Sequence, residues 1–292
     1  MGNCITTKSS KRTGTTRSRS VKRRIRSNKP VKTQTITNPE NINGLEEQGI
    51  KRGIQGKKAV LVGLNYTGTR SALQGCINDA HRMEKTLRSK FGYTDITVLT
   101  DRNITPQNNI LQVLDNLIDS KNNSLYFQYS GHGTQQPDLN GDEPDRLDEA
   151  LYSVKGTIIT DDQLNMRIQR IPVGTRMVLI IDACHSGTMI DLPYQLKNGQ
   201  IIKINNNRVD GDVICISGCR DNQVSMDINA GHTAYGAMSN ALQSVINRID
   251  ISKTTWRSLT EEIRKELKKN RMAQVPQLCV SRPELVNTLV QL

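Results

Sequence analysis

Two stretches of the chain carry residues able to do nucleophilic chemistry. Ile180–Gly187 (IIDACHSG) ends an apolar run with Cys184 and His185, and Leu125–Gly133 (LYFQYSGHG) ends a run of aromatics and β-formers at Gly131-His132-Gly133. A cysteine closing one buried strand and a histidine closing another make a nucleophile and its base. A free thiol is mostly protonated at neutral pH, so it needs a base or a nearby positive charge. His132 supplies both, taking the thiol proton and later protonating a leaving amine. The glycines around it let the backbone turn sharply and let a substrate approach closely. The N–H groups after His132 and at Cys184 are candidates for an oxyanion hole. His185 is the rival base, but as the immediate neighbour of Cys184 its side chain diverges. Either residue alone reads as structural, a buried thiol or a loop histidine; the pair, 52 positions apart on matched strand ends, does not.

The elements that must position this pair follow from periodicity. Ala59–Leu64 is apolar on every residue, the composition of a strand buried on both faces. Cys76–Lys90 carries Ile77, Ala80, Met83 and Leu87 at helical spacing and is stopped by Phe91-Gly92. Ile96–Leu99, Leu125–Tyr129, Arg176–Asp182, Val213–Ser217 and Gln277–Ser281 read as further strands. Helices are expected over Ile110–Ile118, Asp161–Arg170, Tyr235–Ile249 and Trp256–Lys269. Strands alternating with helices imply an α/β fold with a mostly parallel sheet covered on both faces. In such sheets the working crevice lies at the carboxyl ends of the strands, where both histidine and cysteine turns fall.

The net charge of +12 resembles a nucleic-acid signal until it is located. Residues 1–58 hold 15 Lys/Arg and 3 Asp/Glu, and the other 234 residues hold 25 of each sign. The folded part is neutral, so no nucleic-acid partner is expected for it. The six cysteines lack paired metal-ligand spacing, which argues against zinc, and a chain of this size does not need a disulfide framework. A reducing, intracellular compartment is expected, and no apolar run reaches bilayer length.

The N-terminus reads Met-Gly-Asn-Cys-Ile-Thr, so Gly2 with Thr6 fits the myristoylation pattern and Cys4 a palmitoylation site. One acyl chain binds a membrane marginally. Lys8–Lys32 adds 11 basic residues and no acidic one, each worth roughly 1 kcal/mol near an anionic leaflet. The expectation is a tail held at the cytoplasmic face of a membrane, soluble if unacylated or cleaved. A merely solvated tail and a nucleic-acid-binding tail are the alternatives. Residues 33–57 read as linker, and the globular part as 58–292.

Tyr129-Ser-Gly-His-Gly and Asp182-Ala-Cys-His-Ser-Gly resemble the catalytic signatures of metacaspases, in the caspase–legumain group of cysteine peptidases. The likeness runs from about Lys58 to Pro283. It includes Gly75-Cys-Ile-Asn-Asp-Ala, Leu147-Asp-Glu-Ala-Leu, Asp161-Asp-Gln-Leu, Gly236-Ala-Met-Ser and Pro276-Gln-Leu. It implies a caspase-like α/β/α sandwich with a mostly parallel central sheet of about six strands. It divides the domain into a large-subunit-like part (58–190), a joining loop (191–209) and a small-subunit-like part (210–292). The short joining segment is similar to that of type I metacaspases, although the chain lacks their Pro-rich or zinc-finger pro-region.

The resemblance further implies His132 as base, Cys184 as nucleophile, a thioester intermediate, and cleavage after Arg or Lys. A pocket for a basic side chain needs carboxylates near the nucleophile. Asp182, two residues before Cys184, lies on the same strand face. Asp79 falls where the family builds the same pocket, alongside Cys76 and Ser130; capping of its own helix is the plainer role for Asp79. Asp148, Asp161, Asp162 and Asp191 match metacaspase calcium-site positions and are expected in loops or at a helix start, where calcium takes its carboxylate oxygens. Asp161 and Asp162 also suit a helix N-terminus without any metal. Lys197, Lys203 and Arg208 in the joining loop are self-cleavage candidates, as in a zymogen, and a monomer is expected. The competing functions are a catalytically idle scaffold or decoy and an asparaginyl-specific peptidase.

Overall fold

A strand apolar on both faces, such as Ala59–Val62, is stable only between two layers of helix. The chain satisfies this in a computed structural model that describes residues 56–138, 146–184, 189–218, 227–230 and 233–292. The elements run β1 (Lys57–Gly63), α1 (Cys76–Phe91), β2 (Asp95–Thr100), α2 (Ile110–Ile118) and β3 (Ser124–Ser130). Then come β4 (Gly133–Pro137), β5 (Leu147–Tyr152), β6 (Ile158–Thr160), α3 (Asp161–Ile168) and β7 (Arg176–Asp182). The remainder is β8 (Tyr194–Lys197), β9 (Gln200–Lys203), β10 (Asp212–Ser217), β11 (Asp227–Ala230), β12 (Thr233–Gly236), α4 (Ala237–Arg248), α5 (Trp256–Lys269) and β13 (Gln277–Val280).

The central sheet has the order β2-β1-β3-β7-β10-β13-β8-β9. The first five strands are parallel, and β13, β8 and β9 follow antiparallel. Val60, Val62, Phe127, Leu179 and Ile181 form one core with α2 and α3. Ala59, Leu61, Tyr126, Val178, Ile180 and Ile216 form the other with α1, α4 and α5. Alternate residues of each strand thus feed opposite cores, as the pleat requires.

Local chemistry sets the helix ends. Gly92 adopts φ 71° and donates its N–H to the Leu87 carbonyl, closing α1. Asn109 caps α2 through the Gln112 N–H, and Thr160 with Gln163 forms a reciprocal capping box on α3.

The sheet has eight strands rather than about six. The added pair comes from the joining segment, where Tyr194–Lys203 forms a hairpin whose first strand pairs β13 at Cys279↔Gln195 and Val280↔Tyr194. Asn198 and Gly199, at φ 51° and 77°, make the two-residue turn, the geometry that matches strand twist. The strand over Gln277–Val280 is therefore interior, and β9 lies at the edge. Thr233–Gly236 pairs with Asp227–Ala230 instead of beginning the fourth helix. A small sheet, β4-β5-β6, stands beside the main one.

Candidate active site

Strands β3 and β7 are parallel neighbours in a register that sets Ser130 opposite Asp182. The Gly131 N–H donates to the Asp182 carbonyl at 3.2 Å, so the two chains leave the sheet at one level. His132 and Cys184 each follow two residues beyond the paired residues. A Cβ on Gly133 would stand 1.9 Å from the carbonyl oxygen of Cys184 and 3.2 Å from its nitrogen. Only glycine allows that approach. Cys184 is half-buried, whereas Cys76, Cys215 and Cys279 are buried. Burial, with Cys279 across the sheet, holds the Cys215 thiol well above its ordinary range, the state of an inert thiol.

The imidazole is oriented by the segment after β1. His132 Nε2 lies 2.7 Å from the Ser71 carbonyl oxygen. A carbonyl only accepts, so Nε2 carries the proton and the lone pair of the neutral ring is on Nδ1. The ring packs on Tyr66 with centroids 4.6 Å apart. The His132 N–H donates to Tyr66 Oη at 2.8 Å. Its carbonyl accepts from Tyr129 Oη at 2.8 Å and from the Tyr152 N–H at 3.0 Å. Burial pushes both the Tyr66 and Tyr129 phenols well above their ordinary range, which keeps them neutral.

Asp79 and Asp182, the two acids expected near the nucleophile, lie together on the α1/α4 face of the sheet. Asp79 and Asp182 are 3% and 4% exposed. Asp79 Oδ2 accepts the Gly236 N–H at 2.9 Å, and Asp182 Oδ2 accepts both the N–H (2.9 Å) and the hydroxyl (2.8 Å) of Ser239. A Cβ on Gly236 would meet Asp182 Oδ2 at 2.5 Å and Asp79 Oδ2 at 2.9 Å, so the carboxylates converge on that glycine. Ser130 Oγ lies 3.4 Å from Ser239 Oγ. Cys76 opens α1 three residues before Asp79, its carbonyl against Gly63.

The four aspartates expected to bind calcium are placed differently from one another. Asp148 lies within β5 and is buried, not in a loop, because Leu147–Pro137 and Asp148–Gln136 pair across β5 and β4. Asp161 and Asp162 open α3, with Asp161 Oδ2 and Oδ1 accepting the N–H groups of Glu149 (3.0 Å) and Asp162 (2.8 Å). Burial, reinforced by Glu149 and Asp148, raises the Asp161 carboxyl to about 7. Asp191 sits in a turn at φ 47°, its carbonyl accepting from Asn205 (2.9 Å), Asn207 (3.1 Å) and, on α3, Asn165 (3.4 Å). These carboxylates are the hard oxygen donors that calcium takes. Among the described residues, however, no group of three His, Cys, Asp or Glu side chains could hold a metal ion.

A family model described as the metacaspase peptidase C14 domain matches residues 57–193. The Metacaspase-1 of Cryptococcus neoformans is 36% identical over 80% of the chain, that of Yarrowia lipolytica 34% over 79%, and that of Candida glabrata 33% over 79%. The chain belongs to the metacaspase family. It spans 64%, 63% and 74% of the length of those three metacaspases. A solved protein of Geobacter sulfurreducens superposes with TM-score 0.60 at 25% identity, covering 80% of this chain and 97% of its own. Caspase-1 of Spodoptera frugiperda superposes with TM-score 0.52 at 14% identity, covering 78% and 86%, which shows a caspase-like fold.

Several residues of this metacaspase site escape a reading by residue type. Ser71 acts through a backbone carbonyl, and Tyr66, Tyr129 and Tyr152 act on the backbone or ring of His132. Gly236 and Ser239 belong to a motif visible in the sequence, but their contact with Asp182 depends on α4 crossing the end of β7. Gly2, Cys4, the segment Lys8–Lys32 and His185 lie outside the described residues. Among the described residues no helix is long and apolar enough to cross a membrane.

Proposed function

We propose that the protein is a cysteine endopeptidase cleaving after Arg or Lys. His132 Nδ1 takes the proton from the Cys184 thiol, and the sulfur attacks the scissile carbonyl carbon. The tetrahedral intermediate collapses with loss of the C–N bond, His132 returning the proton to the leaving nitrogen. A thioester remains. Water, deprotonated by His132, then attacks it and regenerates the thiol and a carboxylic acid. What carries this reading is the packing of Gly133 on the Cys184 backbone, which brings the histidine turn against the cysteine turn.

Specificity for basic residues is supported by the two buried carboxylates beside Gly236. A guanidinium or ammonium that enters alongside would meet their negative charge. Calcium activation is supported by Asp148 and Asp161, whose charges oppose each other, and by Asn165, which ties α3 to the Ile190 carbonyl beyond Cys184 at 2.8 Å. An ion that drew these acids together with Asp162 and Asp191, closer than they stand without it, would neutralise them and steady that segment. Self-processing is supported by the basic residues of the joining segment, membrane attachment by Gly2, Cys4 and Lys8–Lys32, and a monomer by the hairpin that covers β13.

The test is hydrolysis of four reporter peptides ending in Arg, Lys, Asn or Asp, with and without calcium, by wild type and Cys184→Ala. Arg and Lys cleavage lost in Cys184→Ala supports the reading. Asn cleavage would select asparaginyl specificity, and no cleavage of any peptide would select the idle scaffold.

A further inference from the structure

The acidic pocket and the histidine support stand on opposite faces of the sheet. Asp182 follows Val178 and Ile180 on the α1/α4 face, whereas Tyr66 and Tyr129 belong to the core shared with α2 and α3. Next to Tyr66 on that second side is an open cavity of about 590 Å³, bounded by Tyr66, Thr69, Asp101, Tyr152, Val154 and Gly156. Ser71, whose carbonyl holds His132 Nε2, also lines it.

We propose that this cavity receives the first one or two substrate residues after the scissile bond, with a preference for apolar or aromatic side chains. The inference rests on the peptidase reading and adds the leaving-side specificity to it. General-acid geometry requires the leaving nitrogen to lie within hydrogen-bond reach of His132. With the basic side chain in the pocket of Asp79 and Asp182, the chain that begins at that nitrogen departs past the imidazole. Among the described residues, the cavity beside Tyr66 adjoins that path through Ser71, which both lines it and holds the imidazole.

The lining chemistry selects the occupant. Tyr152, its ring 5.9 Å from that of the buried Tyr66, gives aromatic surface, and Val154 adds aliphatic surface. The Asp101 carboxylate already accepts from the Asn65 N–H (2.8 Å), the Thr67 N–H (2.9 Å) and the Thr67 hydroxyl (2.9 Å). It braces the loop and does not call for a cation. Lys155, exposed on the rim, disfavours a basic side chain. The volume lies in the range of sites that hold a small ligand, enough for two side chains.

Binding can be read without turnover in full-length Cys184→Ala protein, by fluorescence anisotropy with intact peptides that share an Arg and differ after it. Leu-Phe after the Arg is expected to bind about 10-fold tighter than Gly-Gly, as expected for burying apolar side chains. Adding Val154→Trp, which fills the cavity, is expected to abolish that ratio. Adding Lys155→Glu is expected to improve a Lys-Lys peptide relative to Glu-Glu, and this variant serves if Val154→Trp does not fold. Equal affinities for Leu-Phe and Gly-Gly, or a ratio unmoved by both variants, would overturn the proposal. Because no bond is broken, these outcomes are separate from failure of wild type to cleave any reporter, which would overturn the peptidase reading instead.

Discussion

The phenol oxygen of Tyr66 accepts the backbone N–H of His132 at 2.8 Å while the two rings pack with centroids 4.6 Å apart. One side chain thereby sets both the position of the histidine backbone and the tilt of its imidazole. In Tyr66→Phe the ring contact survives and a partly buried amide loses its acceptor, which costs about 1–3 kcal/mol. We expect a lower melting temperature and a kcat reduced about 10-fold with KM little changed. A kcat equal to wild type would show that the hydroxyl does not position the base.

Gly133→Ala isolates the approach of the two catalytic turns. The added methyl would stand 1.9 Å from the Cys184 carbonyl oxygen, so one backbone must retreat. Misplacement by about 1 Å is enough to cost about 100-fold in rate. We expect hydrolysis to fall by about that factor while circular dichroism reports an intact sheet.

Ser239 holds the Asp182 carboxylate of the proposed substrate pocket in place. Ser239→Ala removes the 2.8 Å hydroxyl donor from Asp182 Oδ2 and keeps the backbone donor. A buried hydrogen bond to a charged group contributes about 1.5–3 kcal/mol. The expected result is a KM for Arg reporters raised about 10-fold, with thiol alkylation of Cys184 by iodoacetamide unchanged. Loss of alkylation as well would place the damage at Cys184 instead of the pocket.

Asp161 makes stability fall with rising pH. Its carboxyl titrates at about 7 when folded and near 3.9 in an unfolded chain. Between those values the folded protein binds more protons than the unfolded one, so stability drops as pH rises from about 4 to 7, by up to about 1.4 kcal/mol per unit. Melting curves in chelator should show the wild-type advantage over Asp161→Asn shrinking across that window. Calcium should restore the advantage at pH 7.5 if it binds there; identical curves with ion and chelator would remove the calcium reading.

Self-cleavage is expected first after Arg208. Lys197 and Lys203 lie in the β8–β9 hairpin, whereas Arg208 lies outside regular structure with its side chain 87% exposed. A peptidase needs an extended, unpaired segment, and opening a hairpin costs free energy that an irregular segment does not. Mass spectrometry of incubated protein should find Val209 as a new N-terminus, absent in Cys184→Ala. A first cut after Lys197 would contradict the argument.

Much of this was legible in the chain itself. Ala59–Val62, Leu125–Tyr129 and Arg176–Asp182 read as buried strands because both faces are apolar, and α2, β7 and α5 keep the expected bounds. The hairpin lies in the segment that reads as a joining loop, because its strands are four residues long and mix Gln and Lys with Tyr, Leu and Ile. Periodicity over so few residues is weak, and pairing with β13 is what makes them strands.

The sequence by itself determined which groups could react, since a thiol, an imidazole and carboxyl groups are properties of residue type. Only the tertiary structure decided their relations. That β3 lies beside β7 follows from the packing of two cores, and so does the convergence of Asp79 and Asp182 on Gly236, the first residue ahead of α4. The carbonyl of Ser71 is invisible to any reading by side chain, because every residue has one. Its role arises from where the loop after β1 is held, by Asp101 from the end of β2, and that is a contact between segments with no local signal.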